Sequence, residues 1–551
     1  MVRFNIHFER IGLDHYDGPM SAPPPASPPV PPPVPPMVPI DRHRRVPLHR
    51  QVYEGLRDAI LEGRLRPGQR LPSSRGLAAE LGVSRLPVVE AFAQLLAEGY
   101  CESRPGAGTF VAFLPGGHRP VASPERGDDP ARGRREVATG PRSTIEPTPP
   151  WLTRPGAFAL GEVAADHFPF RVWSRLVARR AGSPGPALVR YGLALGYPPF
   201  REAIAAYLRA ARGVRCDAEQ IMVVSGSQQA IELATRVLVD PGDAVWVEEP
   251  GYWGARKTLA AASARLVPVP VDREGLDVGQ GIAREPAPRA IFVTPSHQMP
   301  LGVTMSASRR LQLLDWARQS GAWIVEDDYN SEYRYASQPV TSLQGLDRDA
   351  RVIYIGTLSK VLFPSLRVGY LALPADLVPR FNDVRKTMDI SAPTLLQAAL
   401  TDFIADGHFA RHLRRTRALY AERRRQLVAE IERRLGDTLE VRGARAGMHL
   451  TVVFRDGRAD VPVALRAAER ELWTPPLSTF YLDQPALRGL VLGYGGISTP
   501  ELGTAVGRLA DVLDAMPPLA PSAPPASAVS RPGTKRRRDA ASAPARRGSR
   551  R

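Results

Sequence analysis

Five short apolar runs recur along the middle of the chain, and each is followed by a stretch with helical periodicity. They are IMVVSG, DAVWVEE, AIFVTPS, AWIVEDD and RVIYIG. Short, continuously apolar runs are typical of strands buried on both faces, and strands that alternate with helices form an open, mostly parallel sheet. We therefore predict one large α/β domain, without internal repeats, over residues 151–516.

A different pattern occupies residues 46–113. Apolar residues at four-residue spacing predict a helix that ends near Gly63, and they are Leu48, Val52, Leu56 and Ile60. Serines provide candidate N-caps for two further helices: Ser73 or Ser74 for the second, and Ser84 for the third. The second helix carries Leu77, Ala78 and Leu81, and the third is expected to face inward with Val88, Phe92, Leu95 and Leu96. Two extended runs around a glycine-rich tip, residues 105–108, predict a hairpin. Three helices and a hairpin describe a winged helix-turn-helix.

The remaining segments are poor in residues that could form a core. Between Pro23 and Pro39, 11 of 17 residues are proline, so residues 1–45 are predicted to be a disordered leader, in which Met1, Met20 and Met37 are alternative starts. Residues 114–150 are predicted to be a flexible linker. Residues 517–551 are predicted to be a disordered basic tail, either a nucleic-acid-binding extension or simply a solvated segment.

Charge and composition restrict the class of protein. The net charge is +17 over 551 residues, but residues 531–551 alone carry nine basic residues and one acidic residue. Cys101 and Cys216 lie far apart, outside metal-ligand spacing, which excludes a disulfide scaffold and predicts no metal site. No apolar run is long enough to span a bilayer, and no signal pattern begins the chain. We expect a cytoplasmic protein that does not contact a membrane.

Basic residues of the winged segment fall where DNA contacts are expected. Arg75 opens the second helix, Arg85 opens the third and Arg104 precedes the wing. Recognition helices contact bases through their N-terminal residues, and helix N-termini favour phosphate oxygens. The alternative is a winged fold used only for dimer contacts, with solvated arginines.

The stretch LPSSRGLAAELGVSRLPVVEAFAQLLAEGYCESRPGAGTFV resembles the winged helix-turn-helix of the GntR family of bacterial transcription regulators. This resemblance implies that Arg75, Arg85 and Gly108 contact double-stranded operator DNA, and Ser84 and Arg104 complete our predicted DNA-binding set. Pro87 stands where the family usually has threonine. Proline is tolerated in a first helical turn, so we expect the helix to persist without the hydroxyl contact to phosphate.

Three features of the large domain together suit an aldehyde cofactor bound to a lysine. Lys360 follows the strand RVIYI, whereas Lys257 and Lys386 lie in predicted helices and fit less well. The run IVEDDYNSE places carboxylates at another strand end. The turn in VVSGSQQAIELA offers the backbone N–H groups of residues 226–228 to a phosphate.

Residues 160–510 resemble fold-type I aminotransferases, and most of all the aminotransferase-like domain of the MocR subfamily of GntR regulators. The motifs that carry the resemblance include DPGDAVWVEEPGYWGAR, TPSHQMPLGVTMS and IYIGTLSK. The resemblance implies pyridoxal 5′-phosphate (PLP) as the cofactor, with Lys360 as its Schiff-base lysine. Asp327, in preference to Asp328, would pair with the pyridine nitrogen, and Tyr329 would bind the ring oxygen.

The same resemblance implies roles for the residues around the cofactor. Gly226, Ser227, Gln228, Thr357 and Arg367 would bind the phosphate. Tyr252 would stack on the ring and His297 would lie beside it, although either could be a packing residue. Tyr191 would reach the phosphate of a partner subunit, which implies a head-to-tail homodimer, or would pack.

Two departures bear on the chemistry. Met299 stands where an aromatic residue usually follows PSHQ, and the last strand, GLVLGYGG, lacks the arginine that grips a substrate carboxylate in many relatives; Arg488 precedes it. We predict a transcription regulator in which PLP, alone or as an aldimine with an amino compound, controls operator binding. An active aminotransferase with an autoregulatory DNA-binding domain and a cofactor-free scaffold are the alternatives.

Overall fold

The computed structural model describes residues 38, 40–113, 149, 151, 154–335, 341–443 and 445–516. The chain divides into two compact units, Met1–Arg135 and Glu136–Arg551. Most of the predicted leader and linker and all of the predicted tail lie outside the described residues. Within the described residues, no helix is both long and apolar enough to cross a membrane.

The N-terminal unit contains the predicted three helices and hairpin. The helices are α1 (Leu48–Leu61), α2 (Ser74–Glu80) and α3 (Arg85–Ala97), and strands β1 (Cys101–Arg104) and β2 (Gly108–Val111) pair antiparallel. Ser73 is the N-cap of α2, where its hydroxyl accepts a hydrogen bond from the Gly76 N–H. Pro87 is the third residue of α3, and the helix continues through it because a first-turn residue needs no N–H donor.

The packed part of this unit begins before the predicted boundary at residue 46. Val38, placed by the sequence in a disordered leader, is 5% exposed and belongs to the core of α1 and α3. It fits because Gly55 on α1 has no side chain to occupy the same space. Leu96, which the sequence predicts to face inward, is half-buried.

The C-terminal unit is built on a sheet that, within the described residues, has eight strands. They are β3 (Ile221–Val224), β4 (Ala244–Glu249), β5 (Arg265–Asp272), β6 (Gly275–Leu276), β7 (Ala290–Val293), β8 (Trp323–Asp328), β9 (Val352–Thr357) and β10 (Gly369–Ala372), in the order β3-β10-β9-β8-β7-β4-β5-β6. Strands β5, β4, β7, β8 and β9 are parallel, as predicted. Strand β10 runs antiparallel to both of its neighbours, and β6 runs antiparallel to β5.

Helices cover both faces of this sheet because successive strand residues point to opposite sides. They are α4 (Phe170–Gly182), α5 (Pro186–Val189), α6 (Pro198–Arg212), α7 (Ser227–Leu238), α8 (Trp253–Ala261), α9 (Val278–Arg284), α10 (Ala307–Ser320), α11 (Leu343–Leu346), α12 (Val378–Met388) and α13 (Thr394–Ala405). Val245 and Val247 of β4 pack in the core of α7, α8 and α12, whereas Trp246 packs with α9 and α10 on the other face.

A smaller subdomain completes the C-terminal unit. It contains α14 (His408–Leu435), β11 (Leu439–Arg442), β12 (His449–Phe454), α15 (Asp460–Ala468), β13 (Gly489–Gly493) and α16 (Thr499–Asp514). The three strands form an antiparallel sheet in the order β11-β12-β13. The carboxyl ends of β3, β4, β7, β8 and β9 meet at one edge of the large sheet, which is where ligands bind in open α/β sheets.

Candidate functional site

A pocket of about 190 Å³ lies at these carboxyl strand ends. Five of its lining residues are sequence-predicted site residues: Ser227, Tyr252, Asp327, Tyr329 and Lys360. Eight further lining residues were not assigned a role from the sequence, and they are Leu160, Gly161, Trp253, Thr294, Met299, Asn330, Met448 and His449. Strand ends from distant parts of the sequence therefore converge on Lys360.

Lys360 is the reactive candidate of the pocket. It lies in the turn after β9, and its Nζ donates a hydrogen bond to the Gly161 carbonyl oxygen at 3.2 Å. Burial lowers the pKa of the Lys360 amine, and a neutral amine is the form that attacks a carbonyl carbon. A side chain at residue 161 would overlap Nζ, so residue 161 must be glycine for the backbone to pass this close to Lys360.

Asp327 and Asp328 are adjacent but have different surroundings. Oδ1 of Asp327 is buried without a hydrogen-bond partner, and Asp327 lines the pocket. Burial, followed by the charges of Asp328 and Glu248, raises the pKa of Asp327 to about 7. Asp328 instead binds Arg212 at 2.7 Å and the Tyr354 hydroxyl at 2.7 Å, on the other side of β8. Oδ1 of Asp328 is also without a partner, but Asp328 does not line the pocket, so Asp327 is the carboxylate that can meet a ligand.

Tyr329 and two histidines form one aromatic group beside this carboxylate. The Tyr329 hydroxyl donates to the His297 carbonyl oxygen at 2.9 Å, and the His297 ring lies 4.7 Å from that of His449. Both ring nitrogens of His297 are buried without a partner. Burial lowers the pKa of His297 well below its ordinary value and that of His449 to about 4. Both rings are therefore neutral near pH 7.

The turn between β3 and α7 has the geometry of an anion cradle. Gly226 is the N-cap of α7 at φ +95°, and a side chain there would lie 2.8 Å from Nη2 of Arg367. The same Nη2 donates to the Ser225 carbonyl oxygen at 2.9 Å. Thr357 is buried at the end of β9. A helix N-terminus with a guanidinium beside it attracts a phosphate.

Of the residues predicted to surround the cofactor, Gln228 and Tyr252 make hydrogen-bond contacts within the chain, and Tyr191 lies away from the pocket. Gln228 Nε2 donates to Thr258 Oγ1 at 2.6 Å, and the Tyr252 hydroxyl is 3.5 Å from Gln228 Oε1. Burial raises the pKa of Tyr252 to about 12, so it stays a neutral ring. Tyr191 is 88% exposed and does not line the pocket of its own chain.

The structure places no described arginine where a substrate carboxylate would bind in the pocket. Arg488 is exposed just before β13. Among the described residues, no arginine lines the pocket. The start of β12 instead places His449 there, a residue for which the sequence offered no local pattern.

The predicted DNA-binding residues lie on the surface of the N-terminal unit. Arg75 and Arg85 are exposed, and Arg85 Nε donates to Ser74 Oγ at 3.1 Å. Ser84 is the N-cap of α3, but its side chain makes no capping bond. Arg104 is paired with Glu102 at 2.6 Å and lies over the Phe110 ring.

The wing tip also has a basic neighbour that the sequence did not single out. Gly108 is at φ +113°, and a side chain there would lie 3.0 Å from Arg70 Nε. Arg70 is bridged to Phe110 of β2, which places its guanidinium beside the wing.

Both units match known protein families. Residues 48–111 match bacterial regulatory proteins of the gntR family, and residues 160–489 match aminotransferase class I and II. The chain is 44% identical to the probable rhizopine catabolism regulatory protein MocR of Rhizobium meliloti, over 85% of this chain and 94% of that protein. The chain belongs to the MocR-type regulators of the GntR family.

Two further comparisons agree with this membership. The pyridoxine biosynthesis transcriptional regulator PdxR of Corynebacterium glutamicum is 31% identical to this MocR-type chain, over 86% of the chain and 98% of the relative. The α-aminoadipate aminotransferase LysN of Thermus thermophilus, solved with N-(5′-phosphopyridoxyl)-L-leucine, superposes with a TM-score of 0.61. It is 27% identical and covers 65% of this chain and 92% of its own. The predicted combination of a winged helix-turn-helix with a fold-type I aminotransferase fold is confirmed.

Proposed function

We propose that this MocR-type protein is a transcription regulator whose operator binding responds to PLP held at Lys360. The observation that carries the proposal is one pocket with a half-buried lysine and a buried, unpartnered carboxylate oxygen, in a chain that also has a winged helix-turn-helix. A lysine that holds an aldehyde and an acid that faces a ring nitrogen are the two groups a PLP site needs.

The pocket residues fit the parts of this cofactor. The Lys360 amine would hold the aldehyde carbon, and Asp327 Oδ1 would accept a hydrogen bond from the protonated ring nitrogen. Residues 226–228, Thr357 and Arg367 would bind the phosphate, and Tyr252, Tyr329 and His297 would surround the ring. When bound, PLP supplies an electrophilic carbon that can exchange the lysine for another amine.

The lining favours a sensor over a working aminotransferase. A planar guanidinium is the usual partner of a substrate carboxylate, and none lines the pocket among the described residues. A ligand changes DNA affinity only when it prefers one arrangement of the protein to another. We infer that PLP, alone or with an amino compound, provides this preference.

We further propose that the DNA-binding domain includes the packed residues that begin at Val38 and ends at residue 113, and that the linker 114–150 joins it to a cofactor domain of residues 151–516. A head-to-tail homodimer in the cytoplasm would bind paired half-sites, and exposed Tyr191 would complete the phosphate site of the second copy. Arg75, Ser84, Arg85, Arg104 and Gly108 would contact the operator.

DNA binding with and without PLP tests the proposal. Full-length protein is titrated with DNA from upstream of its own gene at fixed salt, as wild type, Lys360→Ala and Lys386→Ala. We expect PLP to change the affinity or footprint of the wild type and of Lys386→Ala, an exposed lysine on α12, but not of Lys360→Ala. Specific binding that ignores both PLP and amino compounds in all three proteins would reject the sensor.

A further inference from the structure

A second basic surface lies beside the recognition helix α3. A cleft of about 530 Å³ separates the segment before α1 from the turn between α2 and α3. Three arginines of the segment line it, Arg42, Arg44 and Arg45, and Gly82, Val83 and Ser84 of the turn form the opposite wall. We call residues 42–45 the basic turn. All four of its residues are exposed.

The basic turn is held in place by hydrogen bonds from one side chain of α1. Gln51 is buried; its Oε1 accepts the Asp41 N–H at 2.8 Å, and its Nε2 donates to the carbonyl oxygens of Asp41 at 3.0 Å and Val46 at 2.8 Å. Arg42 Nη2 also donates to the Gly82 carbonyl oxygen at 2.5 Å, across the cleft. With Val38 packed against α1, the turn is fixed at both ends, which reduces the entropy lost when it binds a partner.

The charge of the basic turn is mostly uncompensated. Asp41 is its one acidic neighbour in the segment; this carboxylate accepts the His43 N–H and lies 3.9 Å from Arg44 Nε. Arg45 has no ion pair among the described residues. Exposed arginines that face a cleft with only one distant acidic partner between them are suited to an anionic ligand, and Arg binds phosphate in a bidentate manner.

The position of the cleft, next to α3, indicates that its anionic ligand is DNA phosphate. Its second wall ends at Ser84, the N-cap of α3, so it is continuous with the surface that the proposed function assigns to operator DNA. We propose that the basic turn contacts the phosphate backbone of the same DNA duplex, next to the groove entered by α3. This inference rests on the proposed DNA binding. The gntR match begins at residue 48, so the basic turn lies outside the residues matched by the family.

The salt dependence of DNA binding tests the inference without knowledge of the operator. Full-length protein is titrated with a random-sequence duplex at several salt concentrations, as wild type and as the double variant Arg44→Ala/Arg45→Ala. Each lost phosphate contact makes the negative slope of log K against log salt shallower by about 0.9. The slope of the double variant should therefore be shallower by about 1.8. Between 50 and 200 mM salt, its affinity should then fall about tenfold less than that of the wild type.

Two controls make the result specific to the basic turn. The double variant Arg57→Ala/Arg64→Ala removes the same charge from positions that do not line the cleft, and it should keep the wild-type slope. Arg44→Lys/Arg45→Lys keeps the charge and should recover most of the slope. Equal melting temperatures for all variants establish that the alanine variant is folded.

The outcomes separate the two proposals. A wild type that binds no DNA rejects the proposed function. A wild type that binds DNA and is weakened by Arg85→Ala, while Arg44→Ala/Arg45→Ala keeps the full slope, rejects the basic turn alone. A slope reduced equally by both alanine double variants also rejects it, because net charge would then explain the effect.

Discussion

The pocket around Lys360 and the surface of the winged unit use charged groups in opposite ways. In the pocket, Asp327 and His449 are buried and Lys360 is half-buried, and the unpartnered Oδ1 of Asp327 is available to a ligand. On the winged unit, Arg75, Arg85 and the basic turn are exposed. Buried charges interact strongly and depend on fixed partners, whereas exposed charges are screened by solvent and salt. We therefore expect large effects from single substitutions that break a buried charge pair next to the pocket, and small, additive effects on the DNA-binding surface.

The two neighbouring aspartates of β8 provide the strongest test of this contrast. Asp328→Asn should destabilise the cofactor-free protein by about 3–5 kcal/mol, because it removes the carboxylate charge of a buried ion pair with Arg212. Asp327→Asn removes no hydrogen bond from Oδ1 and should not lower stability. The free energies of unfolding in denaturant measure both. Equal losses for the two variants would show that Asp327 is a structural residue.

The pH dependence of stability sharpens the same comparison. The folded pKa of Asp327 is about 7, above its ordinary value of 3.8, so the folded protein keeps a proton that the unfolded chain has lost. Stability from this group therefore falls as pH rises from about 4 to 7. Asp327→Asn should match the wild type at pH 4 and exceed it by roughly 1–4 kcal/mol at pH 8, without cofactor. Denaturant unfolding at both pH values measures this, and a difference that does not change with pH contradicts it.

Arg85 tests the exposed side of the comparison. Arg85→Ala should weaken operator binding by about 1–3 kcal/mol and change the free energy of unfolding by less than about 0.5 kcal/mol. Its main contact within the unit is the single hydrogen bond to Ser74. Fluorescence anisotropy with labelled operator and thermal melts provide the two measurements, with Arg64→Ala as the control. A loss of stability as large as that of Asp328→Asn would contradict the expected difference between buried charges near the pocket and exposed charges on the winged unit.

The smallest expected effect concerns Pro87. Pro87→Thr restores a hydroxyl at the start of α3, and one added hydrogen bond to phosphate should strengthen DNA binding by about 0.5–1.5 kcal/mol. Pro87→Val has the same branched shape without the hydroxyl and should gain nothing. The same anisotropy assay compares the two variants. An equal gain for both would assign the effect to the backbone of α3.

The sequence predicted the elements of both units, because helix periodicity, serine caps and short apolar runs are local patterns. It did not predict that β10 inserts antiparallel between β3 and β9, because strand order depends on pairing between distant residues. The pocket shows the same limit. Lys360, Asp327 and Tyr252 belong to recognisable motifs, whereas His449 and Gly161 reach the pocket only through the fold. The role of Tyr191 depends on a second chain, which a pattern in one chain cannot place.

The chain has only four lysines, and the position of Lys360 in the pocket therefore allows the cofactor to be located by peptide mapping. Lys257 and Lys386 are exposed, and trypsin normally cleaves after Lys360, which separates residues 352–360 from residues 361–367. If borohydride fixes the cofactor on Lys360, this cleavage is blocked. One joined peptide, residues 352–367, then carries the added mass and the fluorescence of a reduced pyridoxyl group. A single peptide map would thus report both the attachment site and its occupancy in protein isolated directly from cells.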